Sequence, residues 1–203
     1  MPKPRTMVEE ILQNEGSYVD DFDDPGGTTS YGIALKTLHR LGLDKDRDGD
    51  SDADDLRALT SADAIRILTR DYFEKPRLGL LPECLQVSVF DMYVHAGANA
   101  VRILQRLLVQ MGYGIAVDGA VGQQTIAAAR AAAKVSQTGL VDAYGIARRN
   151  YYFALADARP LSREYVRTKM GGKGGWIRRA EEFISERHHL NQESFQQRIA
   201  QWP

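Results

Sequence analysis

Glu15, Asp24 and Thr29 are side chains of the types that hydrolysis of a glycosidic bond requires. Glu15 falls four residues after Ile11, so it shares a face with the apolar stripe Met7, Val8, Ile11 and Leu12 if that stretch is helical. A carboxyl on such a face is partly desolvated. Its charged form is disfavoured, and its pKa rises toward the range where it can hold and deliver a proton near neutral pH. Asp24 and Thr29 follow around the turn-forming run Pro25-Gly26-Gly27. If the chain folds back there, one protonated acid, one ionised carboxylate and one hydroxyl able to orient water face each other across a cleft. On spacing alone a plainer role also fits, with Glu15 ending a helix and Asp24 setting a turn.

A second pattern occupies residues 44–55. Asp44, Asp46, Asp48, Asp52 and Asp55 stand at positions 1, 3, 5, 9 and 12 of a loop with Gly49 at position 6. This is the spacing of an EF-hand-like calcium loop, in which position 7, Asp50, offers its backbone carbonyl. Two positions depart from that pattern: Asp55 replaces the usual glutamate, and Ser51 replaces an apolar residue at position 8. Seven aspartates against Lys45 and Arg47 repel one another unless a cation lies among them. The expected ligands of a structural Ca2+ are therefore Asp44, Asp46, Asp48, Asp50, Asp52 and Asp55; the alternative is a solvated acidic loop. Without a second loop to pair with, a clip between the N-terminal segment and the helix starting at Ser61 is expected rather than a switch.

The elements that would position these groups are mainly helical. Thr6 and Glu9 form a capping-box pattern for a first helix over Met7–Asn14, with Gly16 as its stop. From Ser17 to Ile33 the helical period gives way to a loop or small β-hairpin. Helices are expected over Ala34–Leu41, over Ser61–Glu74 with Ser61 as cap, and then over Glu83–Ala96, Asn99–Met111, Gln123–Ala133 and Leu140–Ala158. Pro160 begins a basic helix, Gly171–Gly175 reads as a hinge-like run, and Trp176 opens a last helix to about His189. The tail spaces Phe195, Ile199 and Trp202 so that it could dock as a short helix.

Composition narrows the class. The chain has 203 residues, 43% hydrophobic and 26% charged, which suits a folded protein of one or two domains and excludes global disorder. Cys84 is the single cysteine, so no internal disulfide framework exists. No apolar run is long enough for a membrane helix, and Lys3 and Arg5 precede no apolar stretch of a Sec signal. The net charge of -1 conceals the acidic loop and a basic end, residues 148–180, with nine cationic side chains against Asp157 and Glu164. No nucleic-acid-binding pattern accompanies that end, and its interleaved aromatic residues suit sugar rings on an anionic wall polymer. Tyr152 and Phe153 are expected in the core, with the arginines on a solvated face.

Glu15-Gly16-Ser17-Tyr18 followed by Asp24-Pro25-Gly26-Gly27-Thr28-Thr29 resembles the signature of glycoside hydrolase family 108, lysozyme-like N-acetylmuramidases of the phage endolysin type. The resemblance implies a mainly α, lysozyme-like catalytic domain over residues 1–88, with Glu15 as general acid. It leaves Thr29 and Ser30 as alternatives for the hydroxyl. Asp91-Met92-Tyr93-Val94-His95-Ala96-Gly97, Val117-Asp118-Gly119 and Gly175-Trp176 resemble the helical peptidoglycan-binding domain that follows in such proteins, here over 89–187, with a polar tail over 188–203. His95 stands where asparagine is commoner and is expected to be hydrogen-bonded core. The implied activity is cleavage of the β-1,4 bond between N-acetylmuramic acid and N-acetylglucosamine by a monomer that binds no nucleic acid and inserts in no membrane. A holin would release it to the wall. A lytic transglycosylase and a non-catalytic, calcium-stabilised wall-binding or export-helper protein are the alternatives.

Overall fold

Short extended segments flank the Pro-Gly-Gly run in the computed structural model, which describes the backbone of Tyr18–Val19 together with residues 29–31 and 33–202. β1 (Tyr18–Val19), β2 (Thr29–Ser30) and β3 (Ile33–Ala34) form an antiparallel sheet in the order β1-β2-β3. Val19 pairs with Thr29 and Tyr18 with Ser30; Thr29 pairs in turn with Ala34, and Ser30 with Ile33. The expected hairpin is thus present, extended by a third strand. The expected helix over Met7–Asn14 lies outside the described residues.

Two compact units divide the chain, residues 1–76 and 77–203. In the first, α1 (Leu35–Leu41), α2 (Ala53–Arg57) and α3 (Ser61–Ile67) follow the sheet. Ile33, Leu38, Leu56 and Ala64 are fully buried and supply its core. α3 is capped by Thr60, one residue before the expected Ser61. Thr60 accepts from the Asp63 N–H, and the Asp63 carboxylate accepts from the Thr60 N–H, so the two satisfy each other reciprocally. The expected single helix to Glu74 changes character at Leu68 and continues to Glu74 as a π-helical run.

The second unit is built around α7 (Gln137–Ala158), packed by α4 (Glu83–Ala96), α5 (Asn99–Gln110), α6 (Gln123–Val135) and, later in the chain, α8 (Arg163–Val166) and α9 (Gly175–Glu181). Leu140, Tyr144, Tyr152 and Ala156 recur at multiples of four along α7 and are all buried, as one face of a helix must be if neighbours cover it. The Val117-Asp118-Gly119 loop is fastened by Gln105. Gln105 Nε2 donates to Asp118 Oδ1 (2.8 Å) and Thr125 Oγ1 (3.1 Å), and Gln105 Oε1 accepts from the Gly119 N–H (2.8 Å). That turn is therefore a buried polar latch between α5 and α6.

Three expectations change after Ala158. The basic helix after Pro160 is only a 3-10 turn and the short α8, and the last expected helix ends at Glu181, ahead of a 3-10 turn at Glu186–His188. The glycine run is a closed turn and no hinge: Arg167 bridges Lys173, and the Thr168 N–H donates to the Gly172 carbonyl at 2.9 Å. Gly174 is dictated by close approach, since a Cβ there would lie 2.4 Å from the Tyr165 carbonyl oxygen. The tail does dock. α10 (Gln192–Ile199) buries Phe195 and Ile199, and the following Trp202 donates from its indole nitrogen to Asp157 at 2.7 Å.

Candidate functional site

Of the residues expected to act on substrate, Thr29 is described, and Glu15 and Asp24 lie outside the described residues. Thr29 and Ser30 are adjacent in β2, so their side chains leave opposite faces of the sheet. Ser30, cross-strand from the fully buried Ile33, is 3% exposed, while Thr29 is half-buried. Of the two residues, Thr29 is the more exposed.

The acidic segment is a series of turns closed by its own aspartates. Asp44 accepts from the Arg47 N–H (2.5 Å) and the Gly49 N–H (3.1 Å), Asp46 from Asp48 N–H (3.3 Å), and Asp48 from Asp50 N–H (3.1 Å). Each aspartate thus turns the backbone ahead of it. Gly49 at position 6 has φ of 103°, a conformation that a side chain would strain. Asp52 caps α2 and forms a capping box with Asp55. Asp55 also accepts from the N–H groups of Lys45 and Asp46, and these backbone donors, Lys45 foremost, hold its carboxyl below the usual range.

Carboxylate oxygens gather in two trios, Asp44, Asp46, Asp48 and Asp50, Asp52, Asp55, each with its members within 4.8 Å of one another. Desolvation, followed by its acidic neighbours, raises the Asp46 pKa; the Asp48 charge raises that of Asp50. Asp50 was expected to contribute through its carbonyl, yet its carboxylate joins the second trio. Lys45 ties the loop to α3: its ammonium reaches Asp63 at 2.8 Å, inside the capping box, and with the Thr60 hydroxyl depresses the Asp63 pKa.

In the second unit two of the arginines expected on a solvated face go inside, while Arg159 and Arg178 stay exposed. Arg148 is fully buried and Arg149 nearly so, whereas Tyr152 and Phe153 are core as expected. Asp91 on α4 takes Arg148 at 2.5 Å and Arg179 from α9 at 2.6 Å. Burial by itself would raise the Asp91 pKa, but the charges of both arginines and the hydrogen bonds from Arg179 outweigh it and hold the carboxyl low. Arg149 and Lys173 both pair with Glu181. Of the carboxylates that neutralise this end, Glu181 lies directly after residues 148–180 and Asp91 lies far earlier in the chain, so a charge count over that window misses both. Trp176 stacks between Tyr152 (5.0 Å) and Tyr165 (4.9 Å). His95, expected in the core, is exposed near the end of α4.

These features define a mainly helical protein with a small N-terminal sheet and a separate helical unit. Residues 8–97 match the glycosyl hydrolase 108 family, and residues 99–181 match the domain described as "Predicted Peptidoglycan domain". Residues 8–97 thus form a glycosyl hydrolase 108 domain followed by a peptidoglycan domain, the layout of a glycoside hydrolase acting on peptidoglycan. It is similar to the solved structure titled "Structure of Brucella abortus SagA", with 26% identity and a TM-score of 0.63, covering 90% of this chain and 96% of that one. No curated protein matches the chain. Among the described residues no helix is long and apolar enough to cross a membrane.

Proposed function

We propose that the chain is an N-acetylmuramidase of the endolysin type, cleaving the β-1,4 bond between N-acetylmuramic acid and N-acetylglucosamine with Glu15 as general acid. Asp24 is the second carboxylate, and Thr29 the hydroxyl that orients water. The observation that carries the reading is the register of the small sheet. β1 begins three residues after Glu15 in sequence, Asp24 belongs to the β1–β2 connection, and the antiparallel pairing of Val19 with Thr29 returns the chain upon itself. Thr29 is favoured over Ser30 because a hydroxyl must reach solvent to hold a nucleophilic water, and Ser30 is buried against the core.

Water as acceptor separates this reading from a lytic transglycosylase, which closes the muramyl residue on itself. Digestion of purified sacculi followed by mass spectrometry of the fragments is expected to yield reducing muramic acid ends. Fragments ending in 1,6-anhydromuramic acid would overturn hydrolysis in favour of the transglycosylase.

The acidic loop is proposed as a structural calcium clip. Trios of carboxylate oxygens within 4.8 Å of one another suit an ion that takes six to eight oxygens at about 2.3–2.6 Å. Asp44, Asp46, Asp48, Asp50, Asp52 and Asp55 would hold it, and its charge would offset the repulsion by Asp48 that raises the Asp50 pKa. The Lys45–Asp63 pair passes the constraint on to α3. A cation that binds only the folded chain stabilises it by about 2.7 kcal/mol at a hundredfold excess over its Kd. A chelator is therefore expected to lower the melting temperature and calcium to restore it, with Asp44→Ala or Asp48→Ala abolishing the response and magnesium substituting poorly. Melting curves that ignore both chelator and excess calcium would reduce the loop to a charged surface turn.

A further inference from the structure

The peptidoglycan match names a polymer without saying which part of it the second unit holds, and a pocket near the C-terminus bears on that choice. About 340 Å³ in volume, it is lined by Arg163, Glu164, Arg167, Lys169, Gly171 and Gln196 among others. That size is enough for part of a small ligand. One wall is stiffened by the Arg167–Lys173 turn. Arg163 is also held in place: its Nε donates to the Ala156 carbonyl at 3.3 Å, and its guanidinium lies 5.4 Å from the centre of the Trp202 ring. Gln196 comes from α10, which lies beyond residue 181 where the domain match ends, and its amide donates to the Gly171 carbonyl at 2.6 Å. The docked tail thus contributes a wall of the pocket.

The charges identify the ligand. Three cationic side chains and one carboxylate share the pocket. The glycan strand is uncharged at its sugars, so it offers these groups nothing to pair with. The peptide stem on each muramyl residue carries several carboxylates, a free amine on its diamino residue, and alanine methyl groups. Arginine and lysine match the first by charge-assisted hydrogen bonds, and Glu164 matches the second. The side chains of Leu161 (87% exposed) and Met170 (98% exposed), close by in sequence, offer apolar surface for the third. A repeating phosphodiester polymer would meet Glu164 as a repulsion. We propose that this pocket binds the peptide stem of peptidoglycan, with Arg163, Arg167 and Lys169 taking its carboxylates and Glu164 its ammonium group. This assignment rests on the peptidoglycan reading of the second unit.

The test is calorimetric titration of the full chain with the free stem alanine-glutamate-diaminopimelate-alanine, beside clearance of purified sacculi by the same preparations. Saturable binding is expected, with Lys169→Glu weakening it by about tenfold or more, the loss of roughly one charge-assisted contact. Glu164→Gln is expected to weaken binding of the free stem and to leave binding of its amine-acetylated form unchanged. Lys169 and Glu164 are exposed, so unchanged melting curves should accompany both variants. Wild type that clears sacculi but does not bind the stem overturns the pocket alone. Wild type that binds the stem, with the expected losses in both variants, but leaves sacculi intact supports the pocket and overturns the hydrolase reading. Equal affinity in wild type and Lys169→Glu, or tighter binding of poly(glycerol phosphate) or phosphatidylglycerol vesicles than of the stem, overturns the assignment.

Discussion

Glu15→Gln is expected to fold as the wild type does and to lose about 10²–10⁴-fold of its activity on sacculi, the usual contribution of a positioned general acid. The amide preserves shape and hydrogen-bonding capacity but has no acidic proton to give the departing sugar oxygen. The loss should appear in kcat and leave KM little changed, because the missing interaction belongs to the transition state. Turbidity loss of outer-membrane-permeabilised cells measures it. A Glu15→Gln protein that keeps most of its activity removes Glu15 from the reaction. Asp24→Asn run alongside is expected to impair activity less, since a neutral amide can still position water. If it is fully active, the second carboxylate must be sought among Asp20, Asp21 and Asp23.

Asp91→Ala should cost about 3–5 kcal/mol, the range found when one partner of a buried ion pair is removed. The reason is what remains: Arg148 is 0% exposed, and its Nη1 already has no hydrogen-bond partner among the described residues. Without Asp91 the guanidinium keeps, among the described residues, the Tyr152 hydroxyl at 3.3 Å and aromatic faces. Denaturant unfolding of the second unit reports the loss, and adding Arg148→Met to Asp91→Ala is expected to recover part of it by removing the stranded charge. Unfolding of Asp91→Ala within about 1 kcal/mol of wild type would show the cluster to be energetically idle. The pH dependence has a definite sign. A carboxyl held below its unfolded pKa stabilises the fold above that value, about 3.9, and loses the contribution as pH falls through the folded pKa. Acid should therefore erode the difference between wild type and Asp91→Ala.

Local signals in the sequence were enough to place α1, α4, α5 and α6 and the paired N-terminal segments, but not α2, the π-helical run or the short helices after Ala158. Glu83–Ala96 is found with the expected bounds because its ends are set by Pro82 and Gly97, both chain neighbours. The turns over residues 44–55 are local in the same way, since their hydrogen bonds run mostly between residues two to five apart. The glycine run was misread as a hinge because Gly174 is required by the close approach of the Tyr165 carbonyl, a contact that composition does not reveal. Pairing across distance decided the rest. Asp91 and Arg179 were both visible in the sequence, yet 88 positions separate them, and only the packing of α4, α7 and α9 brings them together around Arg148. A lone arginine on a helix reads as solvated until a buried carboxylate repays its desolvation, and that carboxylate is supplied by another element. The sequence by itself determined which chemistry the chain could carry, because motifs are local. Tertiary structure decided which charges are spent holding the second unit together and which stay exposed, because burial belongs to the packed elements and not to any one of them.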